Sequence, residues 1–278
     1  MEIWTKILQI LDTQMETPEL YGAFHLLCLL IVVATSVLLA INSKKLDPKT
    51  VQKMVLVASL VTIAFEIYKQ INFTFGDGSS VAAYQWYAFP WQFCSTPMYI
   101  GLVAGLCKKG RLQKSLYAYL ASFSLFAGIA VMLYPASVFI GTVGINIQTM
   151  VCHGGMVILG VLLLASGEAE LHKRTLLRAL PVFVVMVLSA VVMNEVAYRV
   201  GLLENHTFNM FFVSPYCEPS LPVFSLVQGV IPFPMSLVVY VLGFTAAAGI
   251  VLAAGKGLQL LAKWERKVLH IAPRVSLR

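Results

Sequence analysis

The sequence predicts an all-α, polytopic membrane protein built as a bundle of seven transmembrane helices. The chain has 278 residues, of which 59% are apolar and only 12% are charged, whereas a soluble domain carries about 25% charged residues. Its mean hydropathy is +0.81. Seven stretches are apolar over the roughly 17 to 25 residues that a transmembrane helix needs, and none shows the period-two alternation of a membrane β-barrel. This composition excludes a soluble enzyme or a nucleic-acid-binding protein.

The domain organisation follows from where these stretches fall. The spans are expected at residues 21–42, 51–73, 90–107, 115–134, 149–166, 176–199 and 234–255. Residues 1–20 lack the order of a signal peptide and space apolar residues on one helical face, which predicts an interfacial segment or, alternatively, a frayed tail. The connection 200–233 is rich in proline and phenylalanine, which favours a re-entrant or cap segment. Residues 256–278 mix basic and apolar residues at helical spacing, which predicts a tail on the anionic inner leaflet.

The basic residues predict the orientation of the bundle. Seventeen of the 20 Lys and Arg residues fall in the connections between spans 1 and 2, 3 and 4, and 5 and 6, and in the tail. The other three, Lys6, Lys69 and Arg199, belong to the opposite side. The positive-inside rule therefore predicts an outside N-terminus and a cytoplasmic C-terminus. The net charge of +7 is then an orientation signal that requires no nucleic acid. The expected location is a bacterial cell membrane, or the endoplasmic reticulum membrane in a eukaryotic host.

Polar side chains of five spans lie at one depth, near the outer boundary. An ionisable group at the centre of a span raises the free energy of membrane insertion by at least about 2.5 to 3.5 kcal/mol. The presence of these residues in the spans therefore requires an explanation. At about 1.5 Å per residue they fall within roughly 5 to 12 Å of the outer boundary. The layer contains His25, Glu66, Lys69, Asn72, Gln92, Cys94, His153, Asn194, Glu195 and Arg199. Together they supply a nucleophile and groups that could activate it.

Each charged member of this layer also has a simpler structural interpretation. Glu66 and Lys69 are three residues apart, and Glu195 and Arg199 are four apart, so each pair can form on its own helix. His25 alone is more often a hydrogen-bonded structural histidine.

The five cysteines offer no metal site by their spacing. No CxxC pair is present, so neither zinc nor another cofactor is expected. Cys94 alone would more often be a small buried apolar residue. A disulfide from Cys94 to Cys152 or Cys217 is compatible with an oxidising face and would remove the nucleophile.

The segment Phe89-Pro90-Trp91-Gln92-Phe93-Cys94-Ser95 resembles the YwaF-like integral membrane proteins related to transmembrane protein 164. The resemblance covers most of the chain and includes His25, Glu66, His153, and Asn209-Met210-Phe211-Phe212 followed by Pro215. Transmembrane protein 164 is understood as a cysteine-dependent acyltransferase that moves a fatty acyl chain onto a lysophospholipid. The resemblance thus implies that Cys94 is the nucleophile and His153 its base. Bacterial members often have histidine two residues before the cysteine, where this chain has Gln92.

The first functional hypothesis is a membrane acyltransferase or lipid hydrolase that works in the outer half of the bilayer. Cys94 would attack the ester of a phospholipid or lysophospholipid, and His153 would take the thiol proton. Supporting or substrate-binding roles are expected for His25, Glu66, Lys69, Gln92, Glu195 and Asn209, which would orient the histidine or bind the headgroup or the oxyanion.

Three other functions are compatible with the same predicted topology. A transporter or small-ligand-binding protein would need polar groups that continue through the inner half, where the spans offer mainly Thr, Ser and Gly. A receptor is suggested only by seven spans with an outside N-terminus, and span 7 has no lysine for a retinal Schiff base. A structural membrane protein without chemistry agrees with the topology as well.

Overall fold

A computed structural model of the chain describes residues 2–75, 83–204, 207–218, 221 and 224–271. The α-helices are α1 (Glu2–Leu11), α2 (Ala23–Asn42), α3 (Pro48–Phe75), α4 (Thr96–Leu106), α5 (Arg111–Tyr119), α6 (Leu125–Leu133), α7 (Val143–Ser166), α8 (Lys173–Arg199) and α9 (Phe233–Ile271). A π-helical turn, Leu120–Ser124, joins α5 to α6. Within the described residues, strand-like pairing is limited to two isolated bridges. The predicted all-α class is confirmed.

Six helical segments are long and apolar enough to cross a membrane. They are α2, α3, the rod Arg111–Leu133 formed by α5, the π turn and α6, then α7, α8, and the Phe233–Gly257 part of α9. These segments coincide with six of the seven predicted spans, so the chain is an integral, multi-pass membrane protein. The count of seven crossing helices and the orientation of the termini stay predictions.

The expected third span, residues 90–107, is not one long helix. Residues 90–95 form turns, and α4 has only 11 residues, about 16 Å at 1.5 Å per residue. Pro97 lies in the first turn of α4, where its missing N–H costs nothing and its fixed φ favours helix initiation. The helix therefore begins six residues later than the sequence prediction.

Amide side chains of α3 bind both ends of this interrupted segment. Gln70 donates to the Ala88 carbonyl at 2.8 Å. Gln52, eighteen residues earlier on α3, donates to the carbonyls of Gly105 at 3.0 Å and Cys107 at 2.9 Å. Residues 88–107 therefore run antiparallel to α3 over about 27 Å, partly as turns and partly as helix.

The N-terminal segment packs over one end of α3 and the start of α7. Tyr68 donates to the Leu11 carbonyl at 2.7 Å, and the Val143 N–H donates to the Thr13 carbonyl at 2.9 Å. At the other terminus, the predicted tail 256–278 is helical as far as Ile271. Residues 272–278 and the side chains from residue 261 lie outside the described part of the chain, and membrane binding by either terminus stays a prediction.

A stack of buried aromatic rings lies between the π turn, α8 and the turns before α4. The ring centroids of Phe123 and Phe183 are 4.3 Å apart, and Phe93 stacks at 5.5 Å on Phe211. Phe93 also lies 5.5 Å from Phe183. Because Phe93 immediately precedes Cys94, this stack fixes the backbone that carries the cysteine.

The close packing of α4 on α3 depends on Gly105. A Cβ at this position would lie 2.7 Å from the Cβ and 2.9 Å from the Cα of Leu56, so an alanine must push the two helices apart. We expect Gly105→Ala to lower the free energy of unfolding in detergent micelles by about 1 to 3 kcal/mol. The matched control is Gly243→Ala in α9, where nothing lies within 4 Å of the added Cβ. It should be neutral or stabilising by up to about 1 kcal/mol, and equal losses in both variants would contradict this account.

Candidate functional site

A buried ion pair on α3 forms the centre of the site. Glu66 and Lys69 have side chains that are only 8% and 15% exposed, and Lys69 Nζ lies 2.7 Å from Glu66 Oε1. The same oxygen accepts a hydrogen bond from Gln70 Nε2 at 2.7 Å. Tyr84 donates to Gln70 Oε1 at 2.8 Å. Burial and the nearby Glu66 charge raise the pKa of Tyr84, so its phenol stays protonated and continues to donate at neutral pH.

Cys94 lies in the turns that precede α4, two residues before Thr96, and is partly buried. The Thr96 and Tyr119 hydroxyls are 3.0 Å apart and fully buried, which ties the start of α4 to the end of α5. Gln70, next to Lys69 on α3, donates to the Ala88 carbonyl six residues before Cys94 at 2.8 Å. The segment that carries the nucleophile candidate therefore packs on the part of α3 that carries the ion pair.

His153 on α7 has a defined tautomer. Its Nδ1 lies 2.7 Å from the Thr149 carbonyl, which can only accept, so Nδ1 carries the proton and Nε2 carries the lone pair. No hydrogen bond to Nε2 is present among the described residues. α7 also packs against α3, the helix that carries the ion pair. In the described part of the chain no hydrogen bond joins Cys94 to His153.

Gln92 binds the backbone of the segment that follows α8. Its Nε2 donates to the Asn209 carbonyl at 3.0 Å, and its Oε1 accepts from the Phe211 N–H at 3.1 Å. Phe211 and Phe212 have φ values of 56° and 57°, a left-handed conformation that costs about 1 to 3 kcal/mol per residue. Both polar groups of the Gln92 side chain therefore stabilise this strained turn. The Asn209 side chain accepts a hydrogen bond from the Ser214 N–H at 2.9 Å in the same turn.

Asn194 on α8 completes the support of this strained turn. Its amide donates to the Met210 carbonyl at 3.0 Å and accepts from the Met210 N–H at 2.8 Å. Tyr240 on α9 donates to the Phe211 carbonyl at 2.9 Å. The predicted cap segment therefore follows a path fixed by polar side chains of α8, α9 and the turns before α4.

The structure does not bring His25 or Glu195 to the buried ion pair. His25 is fully buried, accepts from the Tyr21 N–H at 3.0 Å and donates to the Met132 carbonyl at 2.8 Å, so both ring nitrogens are used between α2 and α6. Glu195 accepts from Arg199 at 2.6 Å and from Tyr216 at 2.5 Å. That second ion pair is exposed, with side-chain exposures of 37% for Glu195 and 75% for Arg199.

An apolar groove of about 370 Å³ opens beside Glu66, between α3 and the segment 90–99. It is lined by Ile63, Glu66, Ile67, Gln70, Ile71, Thr74, Phe75, Pro90, Met98 and Tyr99. Glu66 is the charged member of this lining. An aliphatic chain could occupy such a groove without polar partners.

Some residues of the site escaped the sequence prediction. Gln70, Tyr84 and Tyr119 are not among the residues of the predicted polar layer, although that layer includes other amides such as Gln92. The spacing of Gln70, four residues after Glu66, could have revealed it. Among the described residues, no group of three or more His, Cys, Asp or Glu side chains could hold a metal ion.

A model of the TMEM164 family matches residues 20–253. The match includes Glu66, Lys69, Cys94 and His153. No curated protein and no solved structure matches the chain.

The strained turn at Met210 should be sensitive to loss of the Asn194 amide. Asn194→Leu keeps the side-chain size but leaves the buried N–H of Met210 without a partner, and leaves its carbonyl only the long bond from the Val213 N–H at 3.4 Å. We expect the free energy of unfolding in detergent to fall by about 2 kcal/mol or more. Asn42→Leu is the matched control, because Asn42 is exposed and only bonds the Leu38 carbonyl of its own helix. A control loss as large as that of Asn194→Leu would refute this role.

Proposed function

The chain belongs to the TMEM164 family, and from this premise we propose that it is a cysteine-dependent lipid acyltransferase embedded in the membrane. Cys94 is the nucleophile, His153 is its base, and a membrane phospholipid is the acyl donor. The acyl acceptor is the hydroxyl group of a lysophospholipid, and water in its place gives hydrolysis.

The observation that carries this proposal is that α3 packs both on the segment before α4, which carries Cys94, and on α7, which carries His153. These two residues come from segments some sixty residues apart in the sequence. The His153 tautomer supports a role as base, because the Nε2 lone pair is available. The groove beside Glu66 supports a lipid substrate, since its lining is almost entirely apolar.

The reaction takes place in two transfers. His153 Nε2 takes the thiol proton of Cys94 as Sγ bonds to the ester carbonyl carbon. The ester C–O bond then breaks, the lysolipid leaves with the proton from His153, and an acyl-thioester remains on Cys94. In the second transfer His153 takes the proton of the acceptor hydroxyl, whose oxygen attacks the thioester. The C–S bond breaks and the thiol is restored.

The proposal includes a topology in which residues 88–107 form a seventh crossing, with the N-terminus outside and the C-terminus cytoplasmic. The distribution of basic residues supports this orientation. The antiparallel course of residues 88–107 along α3 supports the extra crossing, because turns at membrane depth are tolerated where protein surrounds them. The basic tail then lies on the anionic inner leaflet, in a bacterial cell membrane or in the endoplasmic reticulum membrane.

Substitution of the nucleophile tests the mechanism directly. Cys94→Ala should lower acyl transfer between phospholipids in native membranes by at least about a thousandfold, and should remove an acyl adduct from the intact-mass spectrum. Cys107→Ala is the matched control, because Cys107 lies at the other end of α4 and is also partly buried. Full activity of Cys94→Ala would rule out the mechanism.

Blocking the groove tests where the acyl chain binds. Ile67→Trp places a large ring in the groove and should lower the rate with long-chain donors by about tenfold or more, since each excluded methylene costs about 0.8 kcal/mol. Val57→Trp is the control: both residues lie on α3, with exposures of 56% and 58%, but Val57 does not line the groove. Equal effects of the two substitutions on donor chain-length preference would argue against this groove.

A further inference from the structure

The Lys69 ammonium group has more hydrogen-bonding capacity than its described neighbours use. An ammonium carries three N–H donors, and within the described residues its hydrogen-bonding or ion-pair partner is Glu66 Oε1 at 2.7 Å. That oxygen is shared with Gln70. A side chain that is 15% exposed has little water to satisfy the other two donors, so the group is prepared for a further acceptor.

The groups that surround this ammonium favour an anionic acceptor. The one described anion at hydrogen-bond distance is Glu66, whose Oε1 already accepts two hydrogen bonds. A phosphate oxygen would supply both the negative charge and the acceptor that the remaining N–H groups lack.

The position of Lys69 relative to Cys94 fits a glycerophospholipid. In such a lipid the phosphate and the nearer ester carbonyl are separated by only a few bonds of glycerol. Lys69 is also six residues from the end of α3, about 9 Å along the helix axis, a depth that a headgroup phosphate can reach. The groove on the far side of Glu66 offers space for the acyl chain.

We propose that Lys69 is the specificity-determining residue that binds the phosphate of a glycerophospholipid, with Glu66 holding the ammonium in place. The assignment rests on the proposed lipid function of the same site. It explains why a buried ion pair lies beside an apolar groove. It also predicts that an uncharged lipid with the same acyl chain binds less tightly.

The test compares two single-chain lipids, a lysophosphatidylcholine and the monoacylglycerol with the same chain, by tryptophan fluorescence titration of the full chain in detergent. The wild type should bind the phosphate lipid about tenfold or more tightly than the monoacylglycerol, as expected for a charge-assisted hydrogen bond. Because Lys69→Met alone leaves a buried unpaired carboxylate, the decisive variant is Glu66→Gln with Lys69→Met. This double variant should bring the affinity ratio close to one.

The matched control is Glu195→Gln with Arg199→Met, which removes the exposed ion pair and should keep the ratio. An unchanged ratio in the Glu66/Lys69 double variant overturns the proposal. Displacement of the lysophospholipid by inorganic phosphate at equal concentration would assign the site to free anions and overturn it as well. The binding measurement does not depend on a thioester at Cys94. If Cys94 proves inert but the affinity ratio is intact, the acyltransferase function is refuted and the phosphate site is still supported.

Discussion

The architecture depends on one constraint, which is that every backbone polar group inside the bilayer needs a partner within the protein. An uninterrupted helix meets this constraint by itself, but residues 88–95 do not form one. Turn bonds and one side-chain amide supply the bonds in its place: the N–H groups of Ser95 and Thr96 donate to the Gln92 carbonyl, and Gln70 binds the Ala88 carbonyl. The break before α4 is stable because these bonds replace helical hydrogen bonds.

The break has a direct consequence for chemistry. A cysteine in the middle of a regular helix has its backbone enclosed by neighbouring turns. Cys94 instead lies in a turn, two residues before the first residue of α4. The N-terminus of a helix carries a partial positive charge that favours developing negative charge nearby. The aromatic stack through Phe93 and the hydroxyl pair of Thr96 and Tyr119 then hold this position on either side of the cysteine. The irregular segment thus places the cysteine just before a helix N-terminus on a fixed backbone.

Sequence reasoning predicted the helices well because apolar length is a strong signal, whereas the common depth of the polar layer stays a prediction. Depth alone does not determine direction, since each residue turns the helix by about 100°. His25 and Glu195 are expected at the depth of Glu66, but their side chains bind elsewhere, to Met132 and Tyr216. The late start of α4 had a signal in Pro97, which favours the first turn of a helix. The strained turn at Phe211 had none, because its conformation results from tertiary bonds to Gln92 and Asn194.

The ion pairs Glu66–Lys69 and Glu195–Arg199 share one sequence pattern, but burial changes how much such a pair contributes to stability. Glu195 and Arg199 lie at the exposed rim, where such a pair contributes about 0 to 1 kcal/mol. Glu66 and Lys69 are almost completely buried, and there the loss of solvation offsets most of the Coulombic attraction. Apolar residues of similar volume would stabilise that part of α3 at least as well. The retention of two charges beside an apolar groove and Cys94 is therefore better explained by chemistry at the site than by stability of the fold.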